Sequence, residues 1–220
     1  MSSKKYKWNN LSRVPEAEGV YAWYLPLKIS SKDISILIDK VNKNKAEGLD
    51  TSAKQDIKEF IEGKILNFYN EEPYDVSLDG ALKPKYKGKV QHIPTISDSL
   101  VQRLYDDPPR LIEIGQVLIS TAPNFASPIY IGMAKNLKSR IRKHQSLIQK
   151  YASRDYIALD GQSLSDEDRR DHNFAARVVA RGIPETNMFV FIQEISTEID
   201  TYKDIENLLN RINYPVLGKN

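Results

Sequence analysis

A short basic helix in the second half of the chain carries the two residues whose types and spacing best suit chemistry. Arg140 and His144 are four residues apart in a segment, 136–151, whose pattern predicts a helix. They should therefore lie one turn apart on the same side. A guanidinium is a permanent planar cation that can bind phosphate, and an imidazole can transfer protons near neutral pH. The pair indicates a phosphate-binding site, although a core histidine beside an arginine with a buried stem gives the same spacing.

The apolar residues of this segment define the face on which the pair should lie. At about 100° per residue, one stripe contains Leu137, Ile141, His144, Ile148 and Tyr151. Arg140 falls at the edge of the stripe, and Asn136 is placed to cap the helix. We therefore expect Arg140 to reach inward, while the other cations of its cluster project away.

Two tyrosines and one glutamate could complete such a site. Tyr21 lies in a strand-like run, 19–25, and Tyr130 in a second run, 128–132. If the two strands pair as neighbours, both phenols can stand on one face of the sheet. Glu206 is the one acid in the middle of a C-terminal helical segment, and carboxylate oxygen is the ligand that a hard divalent cation requires. Taken singly, each of these residues is also typical of strand packing or of a solvated helix face.

Two local concentrations of positive charge could contact a nucleic-acid backbone. The net charge is only +3, but the segment 124–154 contains basic residues and no acid. A second basic run surrounds Tyr86. The expected phosphate contacts are Lys138, Arg142 and Lys143 in the helix, and Lys83, Lys85, Lys87 and Lys89 in the second run. Such stripes are typical of phosphate contacts, although a solvated helix face and a solvated loop would have the same composition.

Composition excludes several classes of protein. The 220 residues are 40% hydrophobic and 28% charged, as in globular proteins. There is no cysteine, which excludes disulfides, thiol nucleophiles and cysteine zinc sites and favours a cytoplasmic location. We expect no membrane-spanning segment, because no apolar run approaches the roughly 20 residues that one requires.

The pattern along the chain divides it into a discontinuous core and a long interruption. The interruption is too long for a structureless loop in a compact domain, so we expect an inserted unit with its own small core. Helices are predicted at 34–41, 57–68, 97–105, 168–181 and 202–213, strands at 117–120 and 188–195, and a surface loop at 155–171.

The order of these pieces resembles the GIY-YIG nuclease family. The run 19–21, Gly-Val-Tyr, is similar to the first half-motif, and 130–132, Tyr-Ile-Gly, matches the second. The helix with the arginine and the histidine follows, as in the family. Glu206, followed nine residues later by Pro215, resembles the family's metal-binding helix.

The resemblance implies an α+β fold, with a short antiparallel sheet flanked by helices. The nuclease core would be formed by residues 11–25 and 128–220. The mainly helical insertion, 26–127, would then recognise DNA.

The resemblance also implies a role for each site residue. Tyr21 would be the general base or would orient the attacking water, and Tyr130 would position water or phosphate. Arg140 would bind and polarise the phosphate. His144 is typical of the restriction-endonuclease branch, in which it would take the proton of the tyrosine. Glu206 would bind a single Mg²⁺ or Mn²⁺.

The implied activity is metal-dependent hydrolysis of phosphodiester bonds in double-stranded DNA, most like a type II restriction endonuclease acting as a homodimer. Two alternatives remain open. One is a nuclease of repair, phage defence or mobile elements that acts on branched or single-stranded nucleic acid. The other is a nucleic-acid-binding module without catalysis. The family asparagine corresponds to Gly218 here, and Asn220 could replace it.

Overall fold

The chain folds into two compact units. The computed structural model describes residues 3–26, 29–71, 73–78, 80, 85–153, 165–195 and 201–218. One unit comprises Met1–Pro26 and Pro123–Asn220, and the other comprises Leu27–Ala122. The first unit therefore starts before residue 11, where we expected the core to begin, because the N-terminal residues add an edge strand to its sheet.

The elements are numbered in chain order. The strands are β1 (Lys4–Lys7), β2 (Gly19–Tyr24), β3 (Tyr74–Leu78), β4 (Tyr86–Val90), β5 (Tyr130–Ala134) and β6 (Phe189–Glu194). The helices are α1 (Ser31–Ala46), α2 (Asp50–Ile61), α3 (Asp98–Asp106), α4 (Arg110–Phe125), α5 (Leu137–Ala152), α6 (Asp166–Ala180) and α7 (Thr201–Asn213). Among these, no helix is long and apolar enough to cross a bilayer.

The first unit is a four-stranded antiparallel sheet with helices packed against it. Its strand order is β1-β6-β2-β5, so β5 forms one open edge. The expectation of an α+β fold with a short antiparallel sheet is confirmed. The sequence did not predict β1, because its Lys-Lys-Tyr-Lys sequence is largely exposed and has no apolar alternation.

The pairing of β2 with β5 places three rings on one face of the sheet. Tyr21 is opposite Gly132, and Trp23 is opposite Tyr130. Because side chains alternate along a strand, Tyr21, Trp23 and Tyr130 share a face. The imidazole of His144, from α5, packs against all three rings, so α5 covers this face.

The helix that carries the arginine and the histidine forms for the predicted reasons. Asn136 caps α5, since its side chain accepts a hydrogen bond from the Ser139 amide at 2.9 Å. The apolar stripe packs inward, and Leu137, Ile141 and Ile148 are fully buried. The opposite face of the sheet is covered by α7, where Ile205 and Leu209 pack against Val20.

The second unit is mainly helical and has its own core. That core contains Ile34, Leu37, Val41, Ala53, Ile57, Ile61, Ile65, Val101, Leu104 and Leu111. The predicted strand at 117–120 is wrong, because these residues lie within α4, where Leu111, Ile114 and Leu118 recur at helical spacing against the core. The helix predicted at 57–68 instead begins at Asp50 and ends at Ile61, followed by a π turn and a 3₁₀ turn through Tyr69.

Candidate functional site

Tyr21 is held in the interior of the first unit by a cation and a glycine. Only 2% of its surface is exposed. The Nε of Arg140 donates a hydrogen bond to the Tyr21 hydroxyl oxygen at 3.3 Å. The opposing residue, Gly132, leaves the space that the phenol occupies, because a Cβ there would lie 2.5 Å from the hydroxyl oxygen. The glycine of the second half-motif is thus needed to admit the tyrosine of the first.

His144 is fully buried, and its neighbours determine its protonation state. The indole nitrogen of Trp23 donates to Nδ1 at 3.2 Å. Because an indole can only donate, Nδ1 must be unprotonated. The hydrogen therefore sits on Nε2, which donates to Oδ1 of Asp171 at 2.8 Å. Burial lowers the pKa of His144 below its ordinary value, although Asp171 opposes this effect, so the neutral form is favoured.

This tautomer bears on the role that the family resemblance implied for His144. The Tyr21 hydroxyl lies 3.3 Å from Nε2 of His144, which carries a hydrogen directed at Asp171. The only lone pair in the plane of the imidazole, on Nδ1, is already used by Trp23. His144 therefore offers no free acceptor for the proton of Tyr21, and it acts as a hydrogen-bond donor to Asp171.

Asp171 is a site residue that sequence reasoning missed. It is fully buried in α6, and its carboxylate contacts three groups. Oδ1 lies 2.8 Å from Nη2 of Arg140 and 2.8 Å from Nε2 of His144, and Oδ2 lies 3.0 Å from Nζ of Lys143. Burial raises the pKa of Asp171, but these partners outweigh burial and lower it, so the carboxylate is charged.

The expected loop at 155–171 concealed this aspartate. Residues 155–164 lie outside the described part of the chain, but α6 begins at Asp166, and Ser165 caps it. Asp171 stands at helical spacing from Phe174, Ala175 and Val178, which are all buried. An acid on an apolar helix stripe is the feature that could have indicated a buried functional group.

Both tyrosines are neutral phenols at pH 7. Burial raises the pKa of Tyr21 well above its ordinary value, and the favourable effect of Arg140 only partly offsets this. Burial also raises the pKa of Tyr130, which is influenced in opposite directions by Arg140 and Glu206. Tyr130 therefore lies within electrostatic range of both the cation and the carboxylate.

A cleft of about 640 Å³ runs along the open edge of β5. Its lining is Tyr130, Ile131, Arg170, Asn173, Phe174, Glu206, Asn207, Asn210, Arg211, Tyr214, Leu217 and Gly218. Oε1 of Glu206 accepts a hydrogen bond from Nδ2 of Asn210 at 2.7 Å. Burial raises the pKa of Glu206, opposed by Arg170, Asn210 and Arg140. The carboxylate therefore faces a space large enough for a ligand.

The donor set around Glu206 fits one hard divalent cation that keeps most of its water. In the part of the chain that is described, no group of three or more His, Asp or Glu side chains could enclose a metal. One carboxylate, bonded to Asn210 in a cleft that Asn207 also lines, is instead the kind of partial oxygen site that Mg²⁺ or Mn²⁺ uses with a phosphate-bearing substrate.

The basic residues expected to bind DNA have different environments. Lys143 is not directed away from the sheet, because packing of α5 on α6 places it in ion pairs with Asp168 and Asp171. Lys138 pairs with Glu16 at 2.9 Å, and Arg142 is exposed.

The second basic tract is not a loop where it is described. Lys87 and Lys89 are exposed in β4, paired with β3, and Lys85 immediately precedes the strand. Lys83 and Asn220 lie outside the described residues.

The first unit thus brings Tyr21, Tyr130, Arg140 and His144 into one connected group, with Glu206 on the wall of the adjoining cleft. A guanidinium, two phenols and a carboxylate are groups that can bind and polarise a phosphate ester. Comparisons with protein-family models, with curated proteins and with solved structures gave no match for this chain.

Proposed function

We propose that the protein is a divalent-metal-dependent endonuclease that hydrolyses phosphodiester bonds in DNA. The observation that carries this proposal is the position of Tyr130. Its pKa responds both to Arg140 and to Glu206, and its ring lines the cleft that Glu206 faces. A phenol of β5 and a carboxylate of α7 thereby share one cleft, and the cation of α5 lies within electrostatic range of both. Phosphodiester hydrolysis requires such groups.

Each side chain has a task in the proposed reaction that follows from its environment. Arg140 carries positive charge at the inner end of the group, and it polarises the Tyr21 hydroxyl through their hydrogen bond. Because Tyr21 is a neutral phenol, it orients water through its hydroxyl group and does not serve as a phenolate base. Tyr130, at the cleft, positions the phosphate or the attacking water.

Glu206 would hold the metal, with Asn210 fixing the carboxylate through its hydrogen bond. A bound Mg²⁺ or Mn²⁺ would supply charge stabilisation at the phosphate oxygens and the leaving oxygen. The raised pKa of Glu206 means that a proton competes with the metal at a higher pH than it would at an ordinary glutamate.

The proposed substrate is double-stranded DNA cut at a specific sequence, by a homodimer located in the cytoplasm. The support for sequence recognition is the second unit, which has its own core. Such a unit adds surface for reading bases, and its exposed Lys87 and Lys89 suit contact with a phosphate backbone. A palindromic site would match the two-fold symmetry of a dimer.

One observation favours the second candidate, a nucleic-acid-binding module without catalysis. Arg140 is paired with Asp171, and its side chain is only 10% exposed. A phosphate would have to compete with that carboxylate for the guanidinium. If the phosphate does not displace Asp171 from the guanidinium, the protein binds DNA without cutting it.

Incubation of the purified protein with supercoiled plasmid and Mg²⁺ or Mn²⁺ tests the proposal. Discrete fragments are expected for a sequence-specific nuclease, and EDTA should stop cutting. A smear would contradict the sequence specificity, and cutting confined to branched or single-stranded DNA would contradict the duplex substrate. Retarded but intact plasmid under every metal would overturn the catalytic proposal in favour of the binding module.

A further inference from the structure

The cleft beside β5 has a rim that differs in chemistry from its floor. The floor is apolar and buried, with Ile131, Phe174 and Leu217. The exposed lining residues are Arg170, Asn207, Arg211 and Tyr214. Among all lining residues there are two arginines and one carboxylate, Glu206, so the cleft has an excess of positive charge. This charge favours an anionic ligand.

Tyr214 has a backbone conformation that its side chain does not favour. Its φ is +44°, in the left-handed region, and its amide donates to the Asn210 carbonyl at 3.2 Å immediately after the end of α7. Glycine is the usual residue at this position, because a Cβ is strained there. The residue is 67% exposed, so burial does little to offset the strain. An exposed tyrosine whose backbone is strained beside a cleft is a candidate for ligand contact.

The two arginines are placed to act together with this ring. Arg211 precedes Tyr214 on the last turn of α7, and Arg170 approaches from α6 across the cleft, close enough to lower the pKa of Glu206. Guanidinium groups bind phosphate oxygens, and an exposed tyrosine can stack on any nucleobase. The cleft volume of about 640 Å³ is also that of an ordinary small-ligand site.

We propose that Arg170, Arg211 and Tyr214 form a subsite for one nucleotide of a DNA strand, with phosphate on the arginines and the base, turned out of the duplex, stacked on the tyrosine. This inference rests on the proposed function, because it assigns the subsite to the substrate of that same cleft. None of these three residues belongs to the motif by which the chain resembles nucleases. Occupation of the subsite would hold the strand beside Glu206.

Binding without cleavage tests the subsite separately from catalysis. The measurement is fluorescence anisotropy of a fluorescein-labelled 20-base single strand in EDTA, over a series of salt concentrations. We expect Arg170→Ala and Arg211→Ala each to weaken binding and to reduce the slope of log K against log salt by about 0.7. Arg13→Ala, at an exposed arginine outside the cleft, is the matched control and should leave the slope unchanged.

Substitution of the tyrosine separates ligand contact from a structural role. Tyr214→Gly should weaken binding about five- to a hundredfold without changing the salt slope. It should not lower the melting temperature, because glycine tolerates the left-handed conformation. Tyr214→Phe should bind the strand with wild-type affinity, because it keeps an aromatic ring for stacking. Ile212→Ala is the control, because it removes an exposed apolar side chain of α7 that does not line the cleft. This variant should bind as the wild type does.

The outcomes distinguish failure of the subsite from failure of the proposed function. Wild-type affinity and slope in the rim variants, with plasmid cutting intact, would overturn the subsite alone. Rim-dependent binding by a protein that cuts DNA under no metal would support the subsite and overturn the nuclease activity. Failure of the wild-type protein to bind the strand at all would also overturn the subsite.

Discussion

The indole nitrogen of Trp23 and Nδ1 of His144 are 3.2 Å apart, and this hydrogen bond determines which imidazole nitrogen carries the proton. Because indole cannot accept, Nδ1 must, and Nε2 then donates to Asp171. The carboxylate in turn pairs with Arg140, whose Nε donates to Tyr21. A tryptophan outside the nuclease-like motif therefore sets the tautomer of His144 and, with it, the direction of the hydrogen bond between His144 and Asp171.

Removal of the indole donor should destabilise the protein through an unsatisfied imidazole nitrogen. Trp23→Phe leaves Nδ1 of His144 buried without its donor, and we expect a loss of about 1–3 kcal/mol beyond the cost of the lost contact area. Urea denaturation measures the loss, with Trp8→Phe as control. Trp8 is a buried indole 6.0 Å from Trp23 that does not donate to His144. Equal losses in the two variants would contradict the assigned role of Trp23.

His144 should make the protein sensitive to mild acid. Its pKa is lowered in the folded state, so the unfolded chain takes up a proton near its ordinary value of about 6.5 while the folded chain resists. The free energy of unfolding should therefore fall as the pH drops below about 7, by at most about 1.4 kcal/mol per pH unit from this group. Asp171 adds a second decline. Its pKa is about 4 in the unfolded chain and lower in the folded protein, so the free energy of unfolding falls further as the pH drops below about 4.

Denaturation curves from pH 4 to pH 8 check this dependence. His144→Gln should flatten the slope between about pH 7 and pH 5, whatever its effect on absolute stability. His92→Gln, at an exposed histidine of the second unit, should retain the wild-type slope. Equal slopes in the wild type and in His144→Gln between pH 7 and pH 5 would show that His144 is not held neutral.

Gly132 should be irreplaceable because of Tyr21. In Gly132→Ala the new Cβ would lie 2.5 Å from the Tyr21 hydroxyl oxygen and 2.7 Å from its Cζ, so the phenol must shift from the position in which Arg140 donates to it. We expect about 1–3 kcal/mol of destabilisation from overpacking and loss of plasmid cutting. Gly88→Ala is the control, since its Cβ would enter open space within β4. Normal cutting by Gly132→Ala would separate the position of Tyr21 from the activity.

The sequence predicted the elements whose apolar periodicity is strong and missed features that depend on neighbours distant in the chain. Asn136 as a cap and the buried stripe of α5 were predictable because both are local to one helix. The contact of Asp171 with Arg140 was not, because it depends on the packing of α6 on α5. Lys143 illustrates the same limit, since its position on a helical projection suggested a solvent-facing cation, yet the neighbouring helix supplies two carboxylates.

Strand β1 and the exposed residues of α7 show a second limit of prediction from the sequence. The short edge strand β1 is held by backbone pairing with β6, and its lysine-rich sequence carries no apolar pattern. On α7, Leu208 and Ile212 recur at helical spacing with Ile205 and Leu209, a pattern that predicts one apolar face, but Leu208 and Ile212 are exposed. Ile205 and Leu209 pack against Val20 of the sheet, and the residues of α7 that line the cleft are the polar Glu206, Asn207, Asn210 and Arg211, so neither contact covers Leu208 or Ile212.

The hydrogen bond between Asn210 and Glu206 should set the acid limit of cutting. The bond lowers the pKa of a carboxylate that burial raises, so Asn210→Ala should raise that pKa further. The rate of plasmid cutting should then begin to fall at a higher pH than in wild type, because a protonated carboxyl cannot bind metal.

Glu206→Gln should abolish cutting while DNA binding in EDTA persists. Unchanged cutting by Glu206→Gln would remove Glu206 from the site.

Asp171 should be far more important than the aspartate one turn before it. Asp171→Asn keeps the shape of the side chain but removes the negative charge that balances Arg140 and Lys143, and loss of one partner in a buried ion pair costs about 3–5 kcal/mol.

Asp168 pairs with Lys143 and Ser165 near the surface, and these partners lower its pKa to about 2. Water and Asp171 remain available to Lys143 in Asp168→Asn, so this control should retain wild-type stability and cutting. Because Oδ1 of Asp171 contacts the same guanidinium that donates to Tyr21, Asp171→Asn should also lose cutting at temperatures where it remains folded, as monitored by circular dichroism. A folded Asp171→Asn variant that cuts at the wild-type rate would show that the carboxylate stabilises the protein without positioning Arg140.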